Sequence, residues 1–278
     1  MPKRSIYVAY TGGTIGMQKT ANGFVPVSGF LTDCVQSMPE FYHNEMPEFV
    51  INEYSPLIDS SNMAPTDWQM IANDIQANYE KYDGFVILHG TDTMAYTASA
   101  LSFMLQGLSK PVIVTGSQIP LAQLRSDGQT NLLNSLYIAA NYPVEAGIKI
   151  NLKAGKISKP TGEPLEVVTI SPQPVGVVTL YPGISTDIFN NILQQPVKAL
   201  ILLTFGVGNA PQDKKLLDTL KQADERGIIL VNLTQCFQGK VNMGGYATGN
   251  ALAQAGVISG ADMTIEAALA KLHYLLSI

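Results

Sequence analysis

Short apolar runs along the chain alternate with segments in which small and apolar residues recur at helical spacing. Residues 5–10, 85–88 and 112–115 are short, mostly apolar and rich in β-branched residues, a pattern typical of strands buried on both faces. Helical segments are predicted at residues 65–82, from residue 94 onward and at 129–141. This alternation implies right-handed crossovers, and hence a parallel sheet with helices on both faces.

The pattern changes in the second half of the chain. Residues 144–174 are rich in glycine and proline and show no helical periodicity, so we predict a couple of short strands and a connection between domains there. The alternation of strands and helices then resumes. We therefore predict an α/β fold with a larger N-terminal domain on a doubly wound, mostly parallel sheet and a smaller C-terminal α/β domain. The predicted boundaries are 1–152 for the first domain, 153–174 for the connection and 175–278 for the second domain.

Composition and charge exclude several classes of partner. Of the 278 residues, 46% are hydrophobic and only 14% are charged, and the net charge is −5. An acidic chain without a basic cluster is poorly suited to bind nucleic acids or anionic membranes, so neither is expected as a partner. Cys34 and Cys236 lie far apart and the three histidines form no zinc motif, so we expect no metal and no cofactor. Because no apolar run is long enough for a signal peptide or a transmembrane span, we expect a cytoplasmic protein.

Chemically useful residues follow two of the predicted strands directly. The turn after the first strand contains two glycines and Thr14, and the turn after the strand at 85–88 contains Thr91 and Asp92. Ligands bind to open α/β sheets at the carboxyl ends of the strands, where two hydroxyls and a carboxylate can converge. A threonine hydroxyl is a weak nucleophile that needs a base or a proton relay. The alternative is that Thr91 or Thr93 only caps the following helix, with Asp92 favourable to the helix dipole.

Two further groups of polar residues follow predicted strands. Asp59, Ser60 and Ser61 form a polar loop after a strand predicted at residues 49–54. These short donors and acceptors could hold the charged ends of an amino acid, and they could equally cap a helix. Ser117 follows the third buried strand and is a further candidate site residue.

Several longer motifs point to a known family. The chain contains TGGTIGM at residues 11–17 and HGTDTM at 89–94. It also contains DSSNM, KPVIVTGSQIPL, RSDGQTNLLN, YPGIS, GVGNAP, NLTQC and GGYATGNALA. Together these motifs cover nearly the whole chain, and they resemble those of bacterial cytoplasmic, type I L-asparaginases of the asparaginase/glutaminase family. The resemblance implies hydrolysis of L-asparagine to L-aspartate and ammonia by a homodimer or homotetramer without a cofactor.

The resemblance also implies roles for individual residues. Thr14 would be the nucleophile that attacks the side-chain amide carbon. Thr91 and Asp92 would form a second catalytic group, in which Asp92 also binds the substrate α-amino group. Backbone N–H groups near Thr91 would stabilise the oxyanion. The residues implied to hold the backbone of the amino acid are Asp59, Ser60 and Ser61.

Two departures from the family pattern matter for activity. The family's catalytic lysine follows a strand after the helix ending near Asn141, but that strand and its Arg-Thr-Thr-Lys stretch are missing here. An alternative hypothesis is therefore a catalytically impaired relative that binds asparagine or aspartate. Phe24 stands where many relatives carry a lid tyrosine, in a loop or hairpin at residues 23–29 that could also be a plain surface connection. Tyr246 matches a tyrosine that supplies this hydroxyl in some type I relatives.

Overall fold

The computed structural model describes residues 3–21, 23–141, 162–194, 196–244 and 247–278. The chain divides into two compact units, Met1–Thr169 and Ile170–Ile278. Within the described residues, no helix is both long and apolar enough to cross a bilayer.

Strands and helices alternate in the first unit. Its strands are β1 (Ser5–Tyr10), β2 (Met17–Thr20), β3 (Gly23–Pro26), β4 (Glu48–Glu53), β5 (Gly84–Leu88), β6 (Leu105–Gln106), β7 (Val112–Thr115) and β8 (Glu166–Val167). Its α-helices are α1 (Phe30–Gln36), α2 (Pro65–Asn78), α3 (Met94–Met104) and α4 (Gly128–Asn141). Short 3₁₀ turns occur at Thr14–Gly16, Pro39–Tyr42 and Ser60–Asn62.

The main sheet of this unit is parallel, with the strand order β4-β1-β5-β7. In the register, Tyr10 at the end of β1 lies opposite Glu53 of β4 and Leu88 of β5. Leu88 in turn lies opposite Thr115 of β7. All of these strands therefore end at one edge of the sheet, and the loops that follow them meet there.

Strand β5 is buried along its whole length, as its unbroken apolar pattern predicts. Val86 and Leu88 pack into a core with Leu132 and Leu136 of α4. On the alternate positions, the Phe85 ring stacks on Tyr79, with the ring centroids 5.8 Å apart. Each fully buried side chain of this size contributes about 1.5–3 kcal/mol of hydrophobic stabilisation, so β5 holds the middle of the unit in place.

The second unit repeats the architecture on a smaller scale. Its strands are β9 (Val175–Thr179), β10 (Ala199–Thr204), β11 (Ile229–Thr234) and β12 (Ile258–Ser259). Its helices are α5 (Thr186–Ile192), α6 (Lys214–Glu225), α7 (Ala247–Gln254) and α8 (Ile265–Leu275). The sheet is parallel in the order β12-β11-β10-β9.

Helices cover both faces of this second sheet. Leu200 and Leu202 of β10 pack with Leu216 and Leu220 of α6. The alternate residue Ile201 packs on the other face, in a core that includes α8. The predicted α/β class, with a larger N-terminal and a smaller C-terminal parallel-sheet domain, is confirmed.

Some predicted element boundaries were wrong. Helix α2 ends at Asn78 rather than near residue 82. The side-chain amide of Asn78 donates a hydrogen bond of 3.0 Å to the Asp74 backbone carbonyl. The backbone N–H of Lys81 donates one of 3.0 Å to the Asn78 backbone carbonyl, so the chain turns there. Helix α1 was not predicted, and residues 23–29 include the second strand of the antiparallel hairpin β2–β3. Most of the proline- and glycine-rich segment predicted to connect the domains lies outside the described residues.

Candidate active site

The loops after β1, β4 and β5 contact one another at the carboxyl edge of the first sheet. The Thr11 backbone amide donates 3.0 Å to the Leu88 carbonyl, and its hydroxyl donates 2.9 Å to the same oxygen. The Ile58 amide donates 2.7 Å to the Thr11 carbonyl. Thr11 and Leu88, which are 77 positions apart in the sequence, are therefore joined by buried hydrogen bonds at the ends of β1 and β5.

Glycines allow these loops to touch through their backbones. A β-carbon on Gly13 would lie 2.6 Å from the Cα and N of Gly90, and one on Gly12 would lie 2.1 Å from the Ile58 carbonyl oxygen. Both glycines of the first loop also have positive φ, +140° at Gly12 and +95° at Gly13, which side chains disfavour. Thr14 directly follows Gly13 and Thr91 directly follows Gly90, so each threonine is next in sequence to a glycine of this contact.

The side chains of Thr14, Thr91 and Asp92 have no partner among the described residues. Both threonines are partly buried, and Asp92 is exposed. Within the described part of the chain, no hydrogen bond or ion pair uses any of these three side chains. They are therefore available to a ligand at the edge of the sheet.

The capping interpretation of this turn is wrong for Thr91. The N-cap residue of α3 is Thr93, and its side chain makes no capping hydrogen bond. The Thr93 hydroxyl instead donates 2.8 Å to the Ser60 carbonyl, which ties the third loop to the second. Ser60 is buried, and a β-carbon on Gly90 would lie 2.3 Å from its hydroxyl oxygen.

Asp59 does act as a cap. Its Oδ1 accepts hydrogen bonds from the Ser61 backbone amide at 2.9 Å and from the Ser61 hydroxyl at 2.8 Å. These two hydrogen bonds lower the pKa of Asp59 below its ordinary value, so the carboxylate is charged at neutral pH. Oδ2 enters none of the hydrogen bonds of the described residues, so capping leaves it free to bind a ligand.

The loop after β7 reaches the same edge of the sheet. A β-carbon on Gly116 would lie 2.2 Å from the His89 carbonyl oxygen. Ser117, the next residue, is buried, and its hydroxyl donates 2.8 Å to the Ile119 carbonyl. Ser117 therefore lies beside the loop of β5, where its hydroxyl holds its own loop together.

Asp127 organises this loop further. Its carboxylate accepts the backbone amides of Gln118, at 3.1 and 3.0 Å, and of Ile119, at 3.0 Å. Burial by itself would raise the pKa of Asp127, but these hydrogen bonds and one from Asn131 lower it below the ordinary value. The loop that carries Ser117 thus depends on an ionised carboxylate.

We expect Asp127→Ala to lower the free energy of unfolding at pH 7 by about 1–2 kcal/mol, because two backbone donors lose their acceptor. The pKa of Asp127 is lower in the folded than in the unfolded protein, so its stabilisation is present above the unfolded pKa and is lost as pH falls through the folded pKa. Urea unfolding at pH 7 and pH 3 should show the gap to the parent chain shrinking in acid. Asp127→Asn keeps one oxygen acceptor, so its stability at pH 7 should fall between those of the parent chain and Asp127→Ala. A difference in stability between Asp127→Ala and the parent chain that is equal at both pH values would contradict this role.

Of the two positions considered for the lid hydroxyl, Phe24 and Tyr246, only Phe24 lies within the described residues. Phe24 lies in strand β3 of the hairpin with 46% of its surface exposed. The chain leaves the hairpin at Gly29, whose amide donates 2.7 Å to Glu53 at the end of β4. The Thr32 hydroxyl donates 2.8 Å to the same carboxylate, so the base of the hairpin is attached to the sheet edge. Tyr246 lies outside the described residues.

Comparisons with known proteins show the family of this chain. The family model described as "Asparaginase, N-terminal" matches residues 5–157, and the model described as "Glutaminase/Asparaginase C-terminal domain" matches residues 174–278. The chain belongs to the asparaginase family. These two matches cover both parallel-sheet units of the asparaginase fold described above.

Individual members of the asparaginase family match over the full chain. L-asparaginase 1 of Escherichia coli is 61% identical, covering 100% of this chain and 93% of that protein. The crystal structure of L-asparaginase I from Vibrio cholerae is 59% identical with a TM-score of 0.89, covering 99% of this chain and 93% of that one. The thermostable L-asparaginase from Thermococcus kodakarensis is 30% identical with a TM-score of 0.82, covering 98% and 93%.

The alignment also bears on the stretch that is missing from this asparaginase-family chain. It runs over 315 residues with the Escherichia coli protein, whereas this chain has 278. That relative therefore contains segments without a counterpart here. This agrees with the absence of the lysine-bearing stretch from the sequence.

Proposed function

We propose that this chain hydrolyses the side-chain amide of L-asparagine to L-aspartate and ammonia. The observation that carries the proposal is the contact between the loop of Thr14 and the loop of Thr91 and Asp92, three residues whose side chains have no partner among the described residues. Family membership supports the same reaction, because the full-length relatives are named L-asparaginases.

In the proposed reaction, the Thr14 hydroxyl oxygen attacks the amide carbon of the substrate. The hydroxyl proton passes to the nitrogen that leaves as ammonia, and water then hydrolyses the resulting ester to release L-aspartate. Backbone N–H groups beside Thr91 stabilise the negative charge on the amide oxygen. The Thr91 hydroxyl and the Asp92 carboxylate form the second group, beside the attacking oxygen.

Substrate recognition is assigned to carboxylates and hydroxyls at the sheet edge. Asp92 binds the α-ammonium group of the substrate, since its exposed carboxylate has no partner in the described residues. Asp59, Ser60 and Ser61 hold the remaining polar groups of the amino acid. The structural observation behind this assignment is the contact of Gly90 and Thr93 with Ser60, which places that loop beside Thr91.

We expect Asp92→Asn to raise KM for L-asparagine by about 10- to 100-fold and to lower kcat as well. The reason is the loss of a charge-assisted hydrogen bond, worth about 1.5–3 kcal/mol. Steady-state kinetics at pH 7 measures both constants. Asp83→Asn serves as the control. The Asp83 carboxylate accepts a hydrogen bond from the Ser5 backbone N–H at the start of β1, at the opposite end of the strands from the site. An unchanged KM in Asp92→Asn would remove that residue from binding.

The proposed reaction is tested directly with the purified chain. Incubation with L-asparagine should release ammonia and L-aspartate in equal amounts, and a parallel reaction with L-glutamine measures the side activity. The matched relatives give no support to the alternative of an impaired relative. Binding of L-aspartate without any ammonia release from L-asparagine would nevertheless overturn the proposed hydrolysis and favour that alternative.

Assembly and location follow from the family resemblance and stay predictions. We propose a cytoplasmic homodimer or homotetramer that acts on a small-molecule substrate without a metal or cofactor. Tyr246 is proposed to supply the hydroxyl that Phe24 lacks. Ser117 is proposed to support the site through its loop.

A further inference from the structure

A fully buried histidine lies directly below the turn that carries Thr91. His89 has no exposed surface, and its Nδ1 lies 2.6 Å from the carbonyl oxygen of Gly90. Its Nε2 lies 2.8 Å from the Thr97 hydroxyl oxygen in helix α3. The Trp68 indole N–H of helix α2 donates 3.1 Å to that same hydroxyl.

The partners determine where the hydrogens of this network lie. A carbonyl oxygen only accepts, so the proton on the His89 ring must be on Nδ1. An indole N–H only donates, so the Thr97 hydroxyl accepts from Trp68 and has its own hydrogen left for Nε2. A neutral imidazole satisfies every one of these groups. Burial lowers the pKa of His89 below its ordinary value and so favours this neutral form.

The network bears on the site through a single peptide group. The carbonyl of Gly90 and the N–H of Thr91 belong to the same planar peptide and point in opposite directions. The carbonyl is directed at the buried imidazole, so the Thr91 N–H is directed away from the core. Gly90 has no side chain to resist rotation of this peptide, and the histidine supplies the missing constraint.

We propose that His89 is a positioning residue that orients the Thr91 N–H toward the reacting amide by holding the Gly90 carbonyl. Helices α2 and α3 brace the imidazole through Trp68 and Thr97, so the orientation is transmitted from the packed core to the turn. The inference rests on the proposed amide hydrolysis, in which N–H groups near Thr91 meet the oxyanion.

The kinetic test compares two substitutions of His89. His89→Leu fills similar space without a donor, whereas the Nδ2 of His89→Asn can donate at the position of the lost Nδ1. We expect His89→Leu to lower kcat by about 10- to 100-fold, somewhat less than the 10²–10³-fold typical of removing an oxyanion donor outright. KM should change by less than about threefold, and His89→Asn should recover most of kcat. Equal losses in both variants would overturn the proposal.

A second variant separates orientation from folding. Thr97→Val removes the hydroxyl that anchors Nε2 while keeping the shape of the side chain, so it should lower kcat per folded molecule with KM unchanged. If Thr97→Val and His89→Leu lower only the folded fraction, and kcat per folded molecule equals that of the parent chain, His89 has a purely structural role and the proposal fails.

A spectroscopic readout keeps this inference distinct from the proposed reaction. If the parent chain releases no ammonia from L-asparagine, the proposed function has failed, but ¹⁵N NMR still tests the network. We expect the imidazole shifts of a neutral ring protonated on Nδ1 and a displaced Thr91 amide resonance in His89→Leu. A ring protonated on Nε2, or a Thr91 amide unaffected by the substitution, would overturn the positioning role.

Discussion

Thr14→Ala is expected to lower kcat for L-asparagine by about 10⁴-fold or more, the size of effect seen when an enzyme loses its nucleophile. The substitution removes a hydroxyl that has no partner in the described structure and a methyl group on a 3₁₀ turn. Neither loss opens a large cavity in the core. The free energy of unfolding should therefore change by less than about 1 kcal/mol. Ammonia release under saturating substrate and urea unfolding measure the two effects separately.

Two controls make the result specific to the hydroxyl at this position. Thr14→Ser keeps a hydroxyl and should retain far more activity than Thr14→Ala. Thr66→Ala changes an exposed threonine in the first turn of α2 and should leave kcat unaltered. Near-normal turnover in Thr14→Ala would remove Thr14 from the mechanism.

Thr91→Ala is also expected to lower the turnover of L-asparagine by orders of magnitude, with the fold intact.

Gly13→Ala is expected to lower the free energy of unfolding by about 2–4 kcal/mol and to abolish most activity. The new β-carbon would lie 2.6 Å from backbone atoms of Gly90, which cannot rotate away as a side chain could. It would also occupy φ +95°, a conformation that costs a residue with a side chain about 1–3 kcal/mol. Relief of the contact must separate the two loops, and hence Thr14 from Thr91. Urea unfolding and kcat on the same preparation measure both effects.

Gly23→Ala provides the matched stability control for this substitution. Gly23 has a similar φ of +105°, but no atom of the described residues beyond its chain neighbours lies within 4 Å of the position of its β-carbon. It therefore carries the conformational cost without the contact, and it should destabilise the chain by only about 1 kcal/mol. Equal losses of stability in the two variants would show that the contact between the loops of β1 and β5 contributes nothing.

Local patterns were sufficient to predict the main elements of the fold. The β5 strand was predicted from its unbroken apolar run, because a run that is short and contains β-branched residues is typical of a strand buried on both faces. Thr66 and Asp67 marked the start of α2, and Asp67 does lie in its first turn. Helix α1 was missed because it is only 7 residues long and has a glycine instead of a polar side chain at its N-cap. The end of α2 was missed because it depends on how the side chain of Asn78 bonds to its own turn.

The sequence by itself determined the class of fold, the family and the candidate residues, because these depend on periodicity and on motifs that are contiguous in the chain. Only the tertiary structure decided which candidates meet. Thr91 was ruled out as a helix cap once the N-cap position of α3 was seen to be Thr93, whose hydroxyl bonds to Ser60. His89 gained a role once its ring was seen under the Gly90 carbonyl. Both outcomes depend on the strand order β4-β1-β5-β7, which brings together loops far apart in sequence. That order is set by the packing of the whole unit, and no local pattern encodes it.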